Sequence, residues 1–196
     1  MTDMVRRLRK EHTDMTVLLD MMDRQIARFD RGEAPDYDVV RGILDYFLTY
    51  PDLYHHPKED MVLRTLQARA PDKAEELNIL LRAHHDLALL TRRFATATVD
   101  QMVNPQESAR AWFGSLARAF VDANRRHMAI EEERFFPTVL RTLTEADWEA
   151  INEHVVAGGD PLFDGRVEER FQALRDAIID AERAKTNGRR KADKAG

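Results

Sequence analysis

Cysteine is absent from the 196 residues, which excludes disulfides, thiolate nucleophiles, cysteine-ligated iron–sulfur clusters and every cysteine-based zinc motif. Any metal ion must therefore be held by His, Asp, Glu or Tyr. Glycine and proline are sparse, with 8 and 7 copies, and the hydrophobic share of 43% stands against 33% charged residues. That balance excludes a chain disordered throughout. No run of about eighteen apolar residues occurs, so no membrane-spanning helix and no membrane partner are expected. The first residues, MTDMVRRLRKEH, lack the apolar stretch of a secretory signal, which makes the cytoplasm the expected location. Positive charge is not in excess either: the net charge of -5 offers no general surface for phosphates, so no nucleic-acid partner is expected.

What the sequence does have is helical periodicity almost throughout. Apolar residues recur every three or four positions, and alternating strand-like segments are missing. This predicts an all-α fold, an up-down-up-down four-helix bundle with additional short C-terminal helices. The first helix is expected from about Asp3 to Asp30, with Leu8, His12, Met15, Leu19, Met22, Ile26 and Phe29 on one seam. After the Arg31 to Pro35 turn, Asp36 can cap a second helix that runs to Pro71 and carries His55, Glu59, Val62 and Leu66. Asp72 with Glu75 reads as the capping pair of a third helix through Leu80, His84, Leu87 and Phe94. Asn104-Pro105 reads as the start of a fourth through Phe113, Phe120, His127 and Ile130. Thr144 to Asp147 resembles a capping box before Trp148 and Ile151, and Gly158 to Pro161 separates a last helix around Glu168 to Arg183. The expected organisation is a bundle over 1–142, a helical extension packed on it over 143–184, and a disordered basic tail over 185–196.

Each of the four long helices places a histidine on its own apolar seam: His12, His55, His84 and His127. One such histidine is ordinary in a core. Four on successive helices imply a common partner, because each buried imidazole otherwise pays its desolvation separately. His55 and His127 are each followed one turn later by a carboxylate, Glu59 and Glu131, on the same helical face. Two His-x-x-x-Glu pairs and two single histidines make six ligands whose mixed nitrogen and oxygen character suits iron or manganese. Around them stand further candidates. His56 and Asp60 form a second pair at the same spacing, beside Pro57, which must distort the helix. Tyr50 and Tyr54 lie one turn apart; packing is the default reading for both, and either could act as a supporting donor or a phenolate ligand. Glu132 is the alternative to Glu131, and His85 is a flanking rival to His84.

These residues resemble a known family, the hemerythrin-like HHE cation-binding proteins. The resemblance covers about residues 8 to 140. It rests on Lys10-Glu11-His12, on Tyr54-His55-His56-Pro57-Lys58-Glu59-Asp60, on His84-His85-Asp86-Leu87 and on His127-Met128-Ala129-Ile130-Glu131-Glu132. It implies two iron ions in an oxo- or hydroxo-bridged diiron centre inside the bundle. By resemblance the ligands would be His12, His55, Glu59, His84, His127 and Glu131. Oxygen-carrying members have His-x-x-x-His on the third helix, whereas this chain has Ala88 four residues after His84, so one imidazole is missing and His56 could supply it.

The function that follows as an expectation is binding of, and reaction with, a small oxidant, dioxygen, nitric oxide or hydrogen peroxide. Its setting would be oxidative or nitrosative stress or iron and oxygen sensing. With the fifth histidine absent from the third helix, turnover such as peroxide or nitric oxide consumption is expected over reversible carriage. The alternative is an iron-binding, delivery or sensing module without turnover. The expected partners are the diatomic or peroxide ligand and a reductant that the sequence does not identify, on a monomer or weak homo-oligomer.

Overall fold

The structure, a computed structural model, describes residues 3–75, 77–157 and 165–192. Every regular element among them is helical and none is a strand. Helix α1 spans Asp3–Asp30 and buries the predicted seam from Leu8 to Phe29. It stops at Gly32, whose φ of 81° lies in the left-handed region that only glycine occupies at no steric cost. There the Gly32 and Glu33 N–H groups return to the Phe29 and Arg28 carbonyls, closing off the helix end. Asp36 then caps α2, Tyr37–Phe47, its side chain accepting from the Asp38 and Val39 N–H groups at 3.2 and 3.4 Å.

The second long helix of the sequence reading is not continuous. Pro51–His55 form a π turn in which the His56 N–H reaches back five residues to the Pro51 carbonyl, and α3, His56–Arg69, follows. The cause is Pro57, which has no N–H to give and whose ring crowds the carbonyl four residues earlier. A wider turn resolves both problems. The fourth long helix repeats the device: α6, Glu107–Ile130, passes into a π turn at Glu131–Phe135 before Pro137 and continues as α7, Phe136–Thr142. The Phe136 N–H there reaches the Glu131 carbonyl.

Two predicted helix starts shift. Asp72 and Glu75 do not cap the third long helix; they lie inside a short α4, Pro71–Glu75, with Pro71 at its first position. The long α5 starts only at Ile79 and runs to Val103. Asn104 does not cap α6. Preceding Pro105, it is pushed out of helical conformation, and it closes α5 by donating to the Asp100 carbonyl, while α6 begins after Gln106. The predicted box before α8, Glu145–Ala157, closes: Asp147 Oδ2 accepts from the Thr144 N–H at 2.8 Å, and the Asp147 N–H faces Thr144 Oγ1 at 3.4 Å. The predicted Gly158 to Pro161 break lies outside the described residues. The last helix, α9, spans Gly165–Ala192 and so extends over residues 185–192 of the expected tail; 193–196 lie outside the described residues.

α1, α2, α5 and α6 pack around one another as a bundle, and α9 lies across α2 and α1. Gly42 permits that approach, since a Cβ there would stand 3.0 Å from Ile178. Phe171 sits among Tyr46, Tyr50 and Tyr54, Arg175 pairs with Asp14, and Arg24 meets Glu182 at 2.6 Å. The apolar interior divides in two. One cluster gathers Met15 to Phe29 of α1 with α2, α5, α6 and α9; the other gathers Met4, Val5 and Leu8 with α3, α7 and Trp148. Between Leu8 and Met15, α1 contributes Glu11 and His12, and a buried polar layer crosses the bundle at that height. No described helix is long and apolar enough to cross a membrane.

Candidate metal centre

The polar layer holds two groups of side chains whose donor atoms lie within 4.8 Å of one another: His12, His55, Glu59 and Glu131, and His56, Glu59, His84 and His127. Each carboxylate turns one oxygen to each side. Glu59 Oε1 is 3.4 Å from His55 Nε2 and 3.8 Å from His12 Nε2, while its Oε2 is 3.4 Å from His84 Nε2. Glu131 Oε2 is 3.2 Å from His12 Nε2, and its Oε1 is 2.8 Å from His127 Nε2 and 3.7 Å from His84 Nε2. Glu59 is 2% exposed and Glu131 is wholly buried. Close as they stand, both oxygens of both carboxylates, His84 Nε2 and both nitrogens of His127 are not aligned for a hydrogen bond with any protein group. Buried polar atoms left without partners cost free energy, and donors of this kind converging on common points fit cations at those points.

Behind the inward nitrogens stands a ring of carboxylates on the outward ones. Glu11 meets His55 Nδ1 at 2.7 Å, Glu132 meets His12 Nδ1 at 3.0 Å, Asp60 meets His84 Nδ1 at 3.3 Å and Asp52 meets His56 Nδ1 at 3.5 Å. Such partners fix ring orientation and strengthen the imidazole as a donor. Glu11 is itself paired with Lys58, a lysine only 2% exposed, and Glu132 with Arg9 at 2.9 Å.

The electrostatics follow from this crowding. Burial alone would depress the His55 pKa, but Glu59 and Glu11 override it and push it up to about 10. Burial likewise opposes Asp60, Glu131 and Glu59 at His84, which they raise to about 11. His56 goes the other way: burial, only partly offset by Asp52, takes it down to about 4, leaving a neutral ring with a free lone pair. Glu131 is held well below the usual carboxylate range, burial being outweighed by His12, His127 and His84.

All six residues read from the sequence as ligands, His12, His55, Glu59, His84, His127 and Glu131, come together here. His56, the less settled seventh, joins them, its ring stacked 4.0 Å from His84. His56 reaches the layer from the helix before, because the π turn at Pro51–His55 brings two adjacent histidines onto it. The pairing of His56 with Asp60 is corrected: His56 faces Asp52, and Asp60 faces His84. Asp60 and Glu132 lie outside both donor groups, on outer nitrogens. Tyr54 is not in either group; it packs against Tyr50 and Phe171, where its ring completes an aromatic cluster. Tyr50 lies in that cluster too, with the Lys58 ammonium 5.8 Å from its ring. His85 is exposed, on the flank. Glu11, Asp52 and Lys58 were not singled out by sequence reasoning. Glu11 had a readable signal, since it stands three residues after Leu8 and four before Met15 on the apolar seam of α1.

No curated protein and no solved structure matches the chain. The family model for the hemerythrin HHE cation-binding domain matches residues 3–139, the stretch that contains every histidine and carboxylate of the polar layer. The chain therefore belongs to the hemerythrin HHE cation-binding domain family.

Proposed function

We propose that the polar layer holds two iron ions with Glu59 and Glu131 shared between them, and that the chain binds a small oxidant there, dioxygen, nitric oxide or hydrogen peroxide, and reduces it. The observation that carries this reading is the division of each buried carboxylate, one oxygen toward each histidine set. His12 and His55 would serve one ion; His56, His84 and His127 would serve the other. Five imidazoles and four carboxylate oxygens fill about nine of the roughly twelve positions that two six-coordinate ions offer, leaving room for a bridging oxygen and a small ligand. An iron pair supplies electrons and open coordination positions when bound.

The chain's own residues favour reduction over release. His56 removes the argument from a missing histidine, so the case for turnover rests on the outer carboxylates instead. Glu11, Glu132, Asp60 and Asp52 make four imidazoles stronger donors, which stabilises more highly charged, oxidised ions. His55 and then Lys58 hold Glu11 ionised against its burial, and burial excludes bulk water from the layer.

The test is metal analysis with an optical spectrum before and after reduction, on wild type and His127→Ala. About two irons per chain, with visible bands lost on reduction and diminished in the variant, are expected. Zinc, or no metal, would overturn the metal assignment. A long-lived dioxygen complex that releases its ligand unchanged would overturn the reductive part.

A further inference from the structure

Outside the polar layer, the surface between α5 and α6 carries a groove of about 440 Å³ with His127 in its lining. Ile79, Leu87, Leu90 and Ile130 form apolar walls, and Ala83 and Ala123 keep it wide. A water molecule's share of liquid volume is roughly 30 Å³, so the groove is an order of magnitude larger than a diatomic or peroxide ligand requires. It falls in the range of small-molecule sites, roughly 300–1,000 Å³, which are largely apolar with a few polar groups. Ile79, 47% exposed, has no apolar cover.

The charged residues at this groove are Arg82, Arg126 and Asp86. Arg9, Arg24, Arg69, Arg118, Arg125 and Arg175 all pair with carboxylates. Arg82 and Arg126 are exposed and make no ion pair among the described residues. Two unpaired guanidinium groups beside a long apolar trough match a ligand with an aliphatic body and an anionic head. The stretch of α5 from Ile79 to Leu90 rises roughly 16 Å at about 1.5 Å per residue, the length of an extended chain of roughly twelve to fourteen carbons.

We propose that this groove binds a medium-chain aliphatic carboxylate, its hydrocarbon along the α5 and α6 walls and past His127, its carboxylate at Arg82 and Arg126. The site uses surface residues that are not among the metal donors apart from His127, so it goes beyond the redox reading and does not depend on which ion the layer holds.

The experiment is calorimetric titration of the protein as purified with dodecanoate below its micelle concentration. One site per chain is expected. Binding should weaken tenfold or more in Arg82→Ala/Arg126→Ala, and be lost in Ala123→Phe, which fills the trough, with metal content and helical melting unchanged in both. Dodecanol, which lacks the charge, should bind wild type as weakly as dodecanoate binds the double variant. Saturable binding by a preparation that carries zinc or no metal supports the groove even as it sinks the diiron reading. Absence of binding, equal binding by all variants, or equal binding of alcohol and carboxylate would overturn the proposal. So would a dimer in sedimentation that dodecanoate leaves intact and that Ala123→Phe breaks, since the groove would then be covered by a second copy.

Discussion

The two halves of the polar layer use the same two carboxylates and unequal sets of histidines. His56, His84 and His127 line one half; His12 and His55, with Nε2 atoms 3.2 Å apart, line the other. In the proposed two-ion centre, with Glu59 and Glu131 counted on both sides, the three-histidine half would supply about five of six positions and the two-histidine half about four. In the proposed centre a small ligand would then bind on the His12 and His55 side. That side is also the more firmly braced. Its outer carboxylates stand at 2.7 and 3.0 Å, against 3.3 and 3.5 Å across the layer, where His127 Nδ1 has no partner. The half with fewer histidines has the closer outer carboxylates, so close bracing and histidine number are divided between the two halves.

The change with the largest expected effect erases the comparison. Glu59→Ala removes an oxygen from each half, and metal content should fall from about two ions per chain to below one. Retention of two ions would show that Glu59 does not bridge. Glu11→Ala strikes only the braced half: it takes a carboxylate partner from the buried Lys58, at a cost of roughly 3–5 kcal/mol in denaturant unfolding. It should also weaken metal binding by roughly ten- to a hundredfold through His55. His56→Ala sharpens the comparison by equalising the histidine count at two and two. It should lower occupancy of one ion while the other stays, read as a fall toward one ion per chain by metal analysis. Thr144→Ala is the smallest and serves as the reference: loss of the α8 capping box should cost about 1 kcal/mol with metal content unchanged.

The donor set was legible because helical spacing is arithmetic. His12, His84 and His127 fall on seams set by Leu8, Leu80 and Phe120, and Glu59 and Glu131 follow their histidines by one turn. His56 was harder, because in a continuous α-helix it would point about 100° away from His55, and only the π turn brings both inward. Asp60 and Glu132 read from spacing as possible ligands and Asp52 carries no signal; their place on outer nitrogens is fixed by which ring nitrogen packing brings near them. Lys58 carried no signal, since a lysine beside Glu59 reads as a solvent-facing charge until its helix is placed against Glu11. The helix starts at Asp72 and Asn104 failed because Pro71 and Pro105 govern the local backbone more strongly than the cap residues beside them.

The π turns have a further consequence, in phase. One surplus residue before Pro57 offsets the face presented by the turns before it from that presented by α3 by about 100°, so successive helical stretches can show aromatic residues to α9 and then histidines to the interior. Register, then, is what separates His55 from His56 by half a site. A one-residue deletion within Pro51–His55 would remove no donor and no charge from the layer beyond the residue deleted, yet it would turn the rod before it against the rod after it, and either the tyrosines or the histidines would lose their place.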